Sequence, residues 1–497
     1  MNITHILRLI FINPGLLLRL ARPRMIKKAW GVLAGNSWNL QKFIKMSDEF
    51  YFRQEQFNKN KLPEIVYHLI SRYKLPVLSE NTNPPLPDSD EIALWIDDLK
   101  RLSQSVSRPG GGIKISIIIP VYNRIRFTAA CLHSIFACAS RNDYEIIIAD
   151  DNSTDQTSAV FENNFFGVRY LRNAKNLGFL NNCNVAAKNA SGQYIIFLNN
   201  DTVVYPGWLD ELVKTFDEND SIGLAGSKLV YPSGVLQEAG GIVFEDGGSW
   251  NYGRYSNLLL PQYNYMRDVD YCSGASLAIR AQLWKKLGGF DAEFAPAYYE
   301  DTDLAFQVRA AGYRVVYQPL SEVVHFEGIT HGKSEDSVMK KYLAVNKEKF
   351  LEKWKSVLAQ YGACDPESLP ADRSVKGRIL IIDAPGPAPD KGSVLMDARD
   401  DMKMIKKSGF HITCVPQNLM IFDEYIKALQ RIGVECVYPP FAGSLKNAVA
   451  RYAPEADIVM LRGRRAANLA DYVKRHAPRS RIIFDIEDLL KVTASGH

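Results

Sequence analysis

The sequence has no Cys-x-x-Cys pair, no internal repeat and no uncharged apolar run near the length of a bilayer. Its seven cysteines (131, 138, 183, 272, 364, 414 and 436) are odd in number and show no zinc-ligand spacing. That excludes a disulfide framework and a structural zinc site and reads as reduced, intracellular thiols. The longest uncharged run in the apolar N-terminus, Leu9–Leu18, is interrupted by Pro14. It falls well short of the roughly 20 residues that cross a membrane. No small-residue cleavage site follows it, which argues against a secretory signal. With 46% hydrophobic and 23% charged residues among 497, the chain is neither disordered nor collagen-like. It is long enough for two or three domains.

Net charge is concentrated at one end. Residues 1–50 carry eight Lys/Arg against Asp48 and Glu49, which is +6 of the net +5, so the other 447 residues sum to −1. A nearly neutral body lacks the basic stripe of a nucleic-acid binder. Basic residues alternate with apolar ones over residues 1–30, so this stretch suits an anionic membrane surface or packing on its own protein. The expected location is cytoplasmic, peripheral on the inner membrane face.

Three regions follow from texture. Residues 1–112 read as helical and basic, ending in the linker Arg108-Pro-Gly-Gly-Gly112. Beyond it, Lys114–Tyr122, Glu145–Ala149 and Tyr194–Leu198 are apolar β-branched runs separated by helix-length segments. That pattern predicts a buried, largely parallel sheet over residues 113–355, with helices at Arg126–Ala139, Asp155–Asn163, Ala281–Leu287 and Asp301–Ala311. A second alternating block over 376–497 predicts five strands, at Arg378–Asp383, His411–Val415, Val434–Val437, Asp457–Leu461 and Arg481–Asp485. Helices, including Ala466–His476, lie between them in a Rossmann-like unit. Its first turn, Ala384–Gly392, has no Gly-x-Gly-x-x-Gly spacing and so receives no dinucleotide.

In an open α/β sheet, ligands bind beyond the carboxyl ends of the strands. Here those ends read Pro120-Val-Tyr-Asn123, Asp150-Asp-Asn-Ser-Thr-Asp155 and Asn199-Asn-Asp-Thr202. Carboxylates and amides gathered at one rim suit a polyhydroxylated, phosphate-bearing ligand and its cation. Ser153 or Asp155 also suits a helix cap, and Asn199–Asp201 suits an ordinary turn.

The order of these elements resembles the family 2 inverting glycosyltransferases of the GT-A fold, nearest the bacterial rhamnosyl- and galactofuranosyl-type enzymes. The resemblance runs over roughly residues 113–335, through Ile117–Asn123, Ala149–Asp155, Asn176-Leu-Gly-Phe179 with Asn184, and Tyr194–Asp201. It continues through Gly289-Phe-Asp291, Glu300-Asp-Thr-Asp303 and Val324-His-Phe-Glu-Gly328. It implies that Pro120 and Tyr122 border the nucleotide base, that Asp151 binds the base imide, and that Asn176 and Asn200 join the nucleotide site. Asp201 is implied as the metal carboxylate of a DxD motif that here reads Asn-Asn-Asp, with His325 as a further ligand. Mn²⁺ or Mg²⁺ would stabilise the leaving diphosphate, and an imidazole ligand suits Mn²⁺ better. The catalytic base is implied at Asp301, with Glu300 beside it, and Asp303 is expected to cap the helix. Cys272–Ala275 and Gly288–Asp291 are expected to line the acceptor pocket.

The Gln-x-x-Arg-Trp motif of processive synthases is absent, which implies non-processive transfer. The expectation is therefore a metal-dependent enzyme moving a sugar from a UDP- or dTDP-sugar to a glycan or lipid-linked oligosaccharide in bacterial surface polysaccharide (O-antigen type) synthesis. A non-catalytic glycan-binding protein and a sugar nucleotidyltransferase are the alternatives on the same sheet. The 376–497 block resembles the N-terminal half of a GT-B glycosyltransferase.

Overall fold

A computed structural model describes residues 92–105, 113–138, 140–162, 167–326, 336–363, 373, 375–383, 392–419 and 423–485. The expected helical region up to residue 91, the membrane segment 1–30, the linker 108–112, residues 327–332 and the turn 384–391 lie outside the described residues. Two compact units emerge. Among the described residues, one contains 92–254 and 266–373, and the other contains 255–265 and 375–485.

The first unit is built on β1 (Ile115–Val121), β2 (Tyr144–Asp150), β3 (Val168–Arg172), β4 (Tyr194–Leu198), β5 (Thr202–Val204) and β6 (Ile222–Val230). It continues through β7 (Leu236–Glu238), β8 (Gly241–Val243), β9 (Ser249–Asn251), β10 (Arg267–Asp268), β11 (Ser276–Arg280) and β12 (Arg314–His325). Ten of these make one mixed sheet in the order β10-β12-β6-β11-β4-β1-β2-β3, with β5 on β12 and β7 on β6. The strands β3, β2, β1 and β4 are mutually parallel, and β11 runs antiparallel between β4 and β6. Helices flank the sheet, which is the mixed α/β architecture expected of a GT-A domain.

Every residue of β1 is buried, because a parallel strand is covered on both faces. Ile117, Ile118 and Ile119 are fully buried, each worth roughly 1.5–3 kcal/mol. The one polar residue inside β1, Ser116, donates to Glu145 at 2.6 Å and accepts from the amide of Gly192 at 2.9 Å. A Cβ on Gly192 would lie 2.6 Å from the Ile115 carbonyl carbon, so only glycine fits there.

Strand order reverses at β1, with β2 on one side and β4 on the other. Val121 is opposite Asp150 and Ile118 is opposite Phe197, so the three polar strand ends open on one edge. No expected strand covers the long β12, which carries His325. Its run is broken by Gln318, Ser321 and Glu322, which are buried and hydrogen-bonded or ion-paired.

In the second unit, β13 (Gly377–Asp383), β14 (Phe410–Pro416), β15 (Val434–Cys436), β16 (Ile458–Arg462) and β17 (Arg481–Asp485) form an all-parallel sheet in the order β15-β14-β13-β16-β17. The five expected strands are all present. The expected helix 466–476 is instead two helices, Gly463–Ala467 and Ala470–His476. The amide of Leu469 bonds back only three residues, to Ala466, which closes the first helix at Asn468, a residue that disfavours helix interiors.

Candidate active site

The loops after β1 and β2 are locked to each other. Asn123, Arg124 and Asn152 have φ of 60°, 66° and 64°, a left-handed conformation that asparagine tolerates better than most residues. The Asn123 side-chain oxygen accepts from the amide of Thr154 at 2.7 Å, and the Asn123 amide donates to the Ser153 hydroxyl. Asp155 accepts from the amides of Ile125 and Thr157, both at 3.0 Å, so it serves the start of both following helices. Asp150 is consumed by the Ser153 amide, Arg172 and the Tyr170 hydroxyl.

Asp151 is buried and accepts from Asn173 at 2.9 Å and from the amides of Leu177 and Gly178 at 2.8 Å. An ionised carboxylate offers about four acceptor positions, so one direction stays available. Tyr122 beside it is 44% exposed. Pro120 is buried within β1 opposite Ala149. Asn176 is exposed and accepts from the Gly178 amide at 3.0 Å. Asn200 is buried and donates to Thr128 at 3.0 Å.

Asp201 and His325 meet although 124 positions separate them. β5 pairs antiparallel with β12, with Thr202 opposite His325, and the Phe326 amide donates to the Asp201 carbonyl at 3.0 Å. His325 Nε2 thereby lies 3.4 Å from Asp201 Oδ1, both side chains being largely buried. Two donors at that separation can share one cation. An oxygen and an imidazole nitrogen make a donor pair suited to Mn²⁺, so the residues present fit the ion.

Glu300 and Asp301 open the helix Glu300–Ala310. Asp301 Oδ2 accepts from the Gly274 amide at 2.9 Å, and Oδ1 accepts from the Thr302 amide at 2.6 Å. Desolvation raises the Asp301 carboxyl above its ordinary range, and these hydrogen bonds hold it back. Glu300 is buried with Oε2 receiving no hydrogen bond. Burial first, and the neighbouring Asp301 second, push its pKa up to about 8.

Asp303 does not cap this helix, contrary to expectation. It is fully buried and accepts from Gln307 at 2.6 Å, Lys353 at 2.9 Å and the Trp354 indole at 2.7 Å. It therefore ties the helix Asp336–Leu358 to the domain, because charge-assisted bonds at a dry position outweigh those at a solvated helix end. Phe290, expected in the acceptor pocket, is buried against Phe197 and Trp284. Its backbone is clipped on both sides by the Asn184 amide group.

A continuous set of contacts joins these parts. His325 Nδ1 lies 3.2 Å from Gln237 Oε1. The adjacent Glu238 accepts from the Ser273 amide at 3.1 Å, and the next residue, Gly274, holds Asp301. Asn199, two positions before Asp201, donates its amide to Ala275 at 3.0 Å. Gln237 and Glu238 escaped the sequence reading; their local signal is two polar residues between Leu236 and Ala239-Gly-Gly241.

The sequence model of Glycosyl transferase family 2 matches residues 116–285. Those residues carry a family 2 glycosyltransferase sequence. The O-antigen biosynthesis protein RfbC of Myxococcus xanthus is 29% identical over 231 residues, 44% of this chain and 18% of its own length. The N-acetylglucosaminyl-diphospho-decaprenol L-rhamnosyltransferase of Mycobacterium tuberculosis is 26% identical over 224 residues, 40% of this chain and 72% of its own length. The structure of GalNAc-T7 with UDP, GalNAc and Mn²⁺ is 16% identical, with a TM-score of 0.43 over 57% of this chain and 61% of that one. The first curated relatives are much longer, and this chain spans 25% and 18% of them. The glycosyltransferase match takes in Asp151, Asp201, Gln237 and Gly274. It ends before Glu300, Asp301 and His325 and does not reach the sheet β13–β17.

Proposed function

We propose that the protein is a metal-dependent, inverting, non-processive glycosyltransferase. It moves a sugar from a UDP- or dTDP-sugar to a hydroxyl of a glycan or lipid-linked oligosaccharide in surface polysaccharide synthesis. The observation that carries this reading is the unbroken contact path from Asp201 and His325, through Gln237-Glu238 and Ser273-Gly274, to Asp301. The names of the Myxococcus and Mycobacterium relatives agree with it.

Tyr122 offers its exposed ring to the base, and the free direction of Asp151 accepts the imide N–H. Pro120, two residues before Tyr122 at the end of β1, borders the base with it, and Asn176 and Asn200 border the sugar of the nucleoside. Asp201 and His325 would hold Mn²⁺ or Mg²⁺, which would stabilise the charge growing on the diphosphate. Asp301 removes the acceptor proton as the hydroxyl oxygen bonds to the anomeric carbon, while the bond to the diphosphate breaks on the opposite side. The upward-shifted carboxyl makes Asp301 a stronger base than a solvated aspartate. Glu300, protonated near neutrality, keeps a second negative charge away from it. The division into a basic N-terminal region, a GT-A domain over 113–355 and an α/β domain over 376–497 belongs to the same proposal, as do membrane contact through residues 1–30 and a place on the inner membrane face.

The test is release of nucleoside diphosphate from a panel of UDP- and dTDP-sugars, with Mn²⁺, Mg²⁺ or chelator. Metal-dependent release that Asp201→Ala and Asp301→Asn abolish in folded protein supports the reading. Full activity in either variant refutes its assigned role. Release of pyrophosphate from a nucleoside triphosphate and a sugar phosphate would reassign the chain to nucleotidyl transfer.

A further inference from the structure

Gln237 takes no part in the chemistry above, yet its side chain reaches the centre of the site. It is buried, and its Oε1 is 3.2 Å from His325 Nδ1. The strand that carries it is irregular at this point. β7 pairs with β6 as Leu236 opposite Val230 and Glu238 opposite Leu229, with a register shift between. One residue, Gln237, is thus extra on its side of the ladder, and such a bulge re-aims a side chain. The bulge turns this amide onto the ring of a histidine whose other nitrogen faces Asp201.

We propose that Gln237 is a positioning residue that fixes the tautomer and ring orientation of His325. Gln237 Oε1 and Asp201 Oδ1 both only accept, so a cation taken on Nε2 would leave the ring's one proton on Nδ1, donated to Gln237. The lone pair is then on Nε2, directed to the space shared with Asp201 Oδ1. A histidine that ligates a metal is held in this way by an acceptor on its far nitrogen, and loss of that acceptor costs about 10–100-fold in metal affinity. Glu238, through the Ser273 amide, anchors the same bulge to the loop that holds Asp301. The proposal rests on the assignment of Asp201 and His325 as cation ligands.

The experiment compares the whole protein with Gln237→Leu, Gln237→Glu and Asp201→Ala. Mn²⁺ affinity is read from the electron paramagnetic resonance signal of free Mn²⁺, and the His325 tautomer from ¹⁵N shifts of histidine-labelled protein at pH 8.5 with saturating, diamagnetic Mg²⁺. Gln237→Leu is expected to weaken Mn²⁺ binding about 10–100-fold and to mix the two tautomers, whereas Gln237→Glu keeps an acceptor and stays within a few-fold. Unchanged affinity in Gln237→Leu, or an Nε2–H tautomer in the wild type, overturns the proposal. The wild-type tautomer reading needs no variant to fold. Unchanged affinity in Asp201→Ala instead removes the cation assignment itself and takes this proposal with it.

Discussion

Asp301 Oδ2 accepts a hydrogen bond from the Gly274 amide at 2.9 Å, across 27 positions of sequence. That bond fixes the carboxylate against a loop which, one residue later, holds Asn199 and so the turn bearing Asp201. Asp301→Asn keeps the shape and removes the basic oxygen. Sugar transfer should fall by about 10²–10⁴, with Mn²⁺ affinity nearly unchanged and the melting temperature lowered, because an Asn side chain accepts from only one of the Gly274 and Thr302 amides. Steady-state assays beside a thermal melt check both.

Glu300 supplies a pH signature. Its ordinary pKa of 4.5 rises to about 8 in the folded chain, so between those values the folded state holds a proton that the unfolded state has released. Stability therefore falls as pH rises across that window, and below it the group has no effect. Glu300→Gln should melt higher than the wild type by a margin that is absent near pH 4 and widens towards pH 8.5. Parallel melts across pH read it directly, and a margin that shrinks with rising pH contradicts it.

Lys228 and Glu322 form a buried pair 3.7 Å apart, in register between β6 and β12. Burial lowers the lysine pKa and lifts that of Glu322 to about 7. Lys228→Met should cost about 3–5 kcal/mol by stranding the carboxyl, and adding Glu322→Leu should restore most of the loss. Chemical denaturation of the two variants supplies the comparison.

Tyr122 is 44% exposed at the end of β1. Tyr122→Ala should leave stability unchanged and weaken UDP binding by about 1–3 kcal/mol, the usual worth of one base on an aromatic ring. Titration calorimetry with UDP and Mn²⁺ measures it.

Strands of continuous apolar residues, such as Ile115–Val121 and Tyr194–Leu198, were legible because a doubly covered strand needs no alternation. The polar strand ends Asp150-Asp151 and Asn199–Asp201 were legible for the complementary reason: carboxylates directly after buried strands must end at a surface. The long β12 was hidden, since its buried Gln318, Ser321 and Glu322 interrupt the apolar run and find partners only across the sheet.

Two alternating α/β blocks and the kinds of side chain at the first block's rim could be read along the chain, because burial pattern and residue chemistry are local properties. It takes the folded sheet to set Asp201 against His325, to aim Gln237 at that ring through a bulge, and to make Asp303 anchor a later helix instead of capping its own. Such pairings depend on strand order and register, which place residues a hundred positions apart within hydrogen-bonding distance.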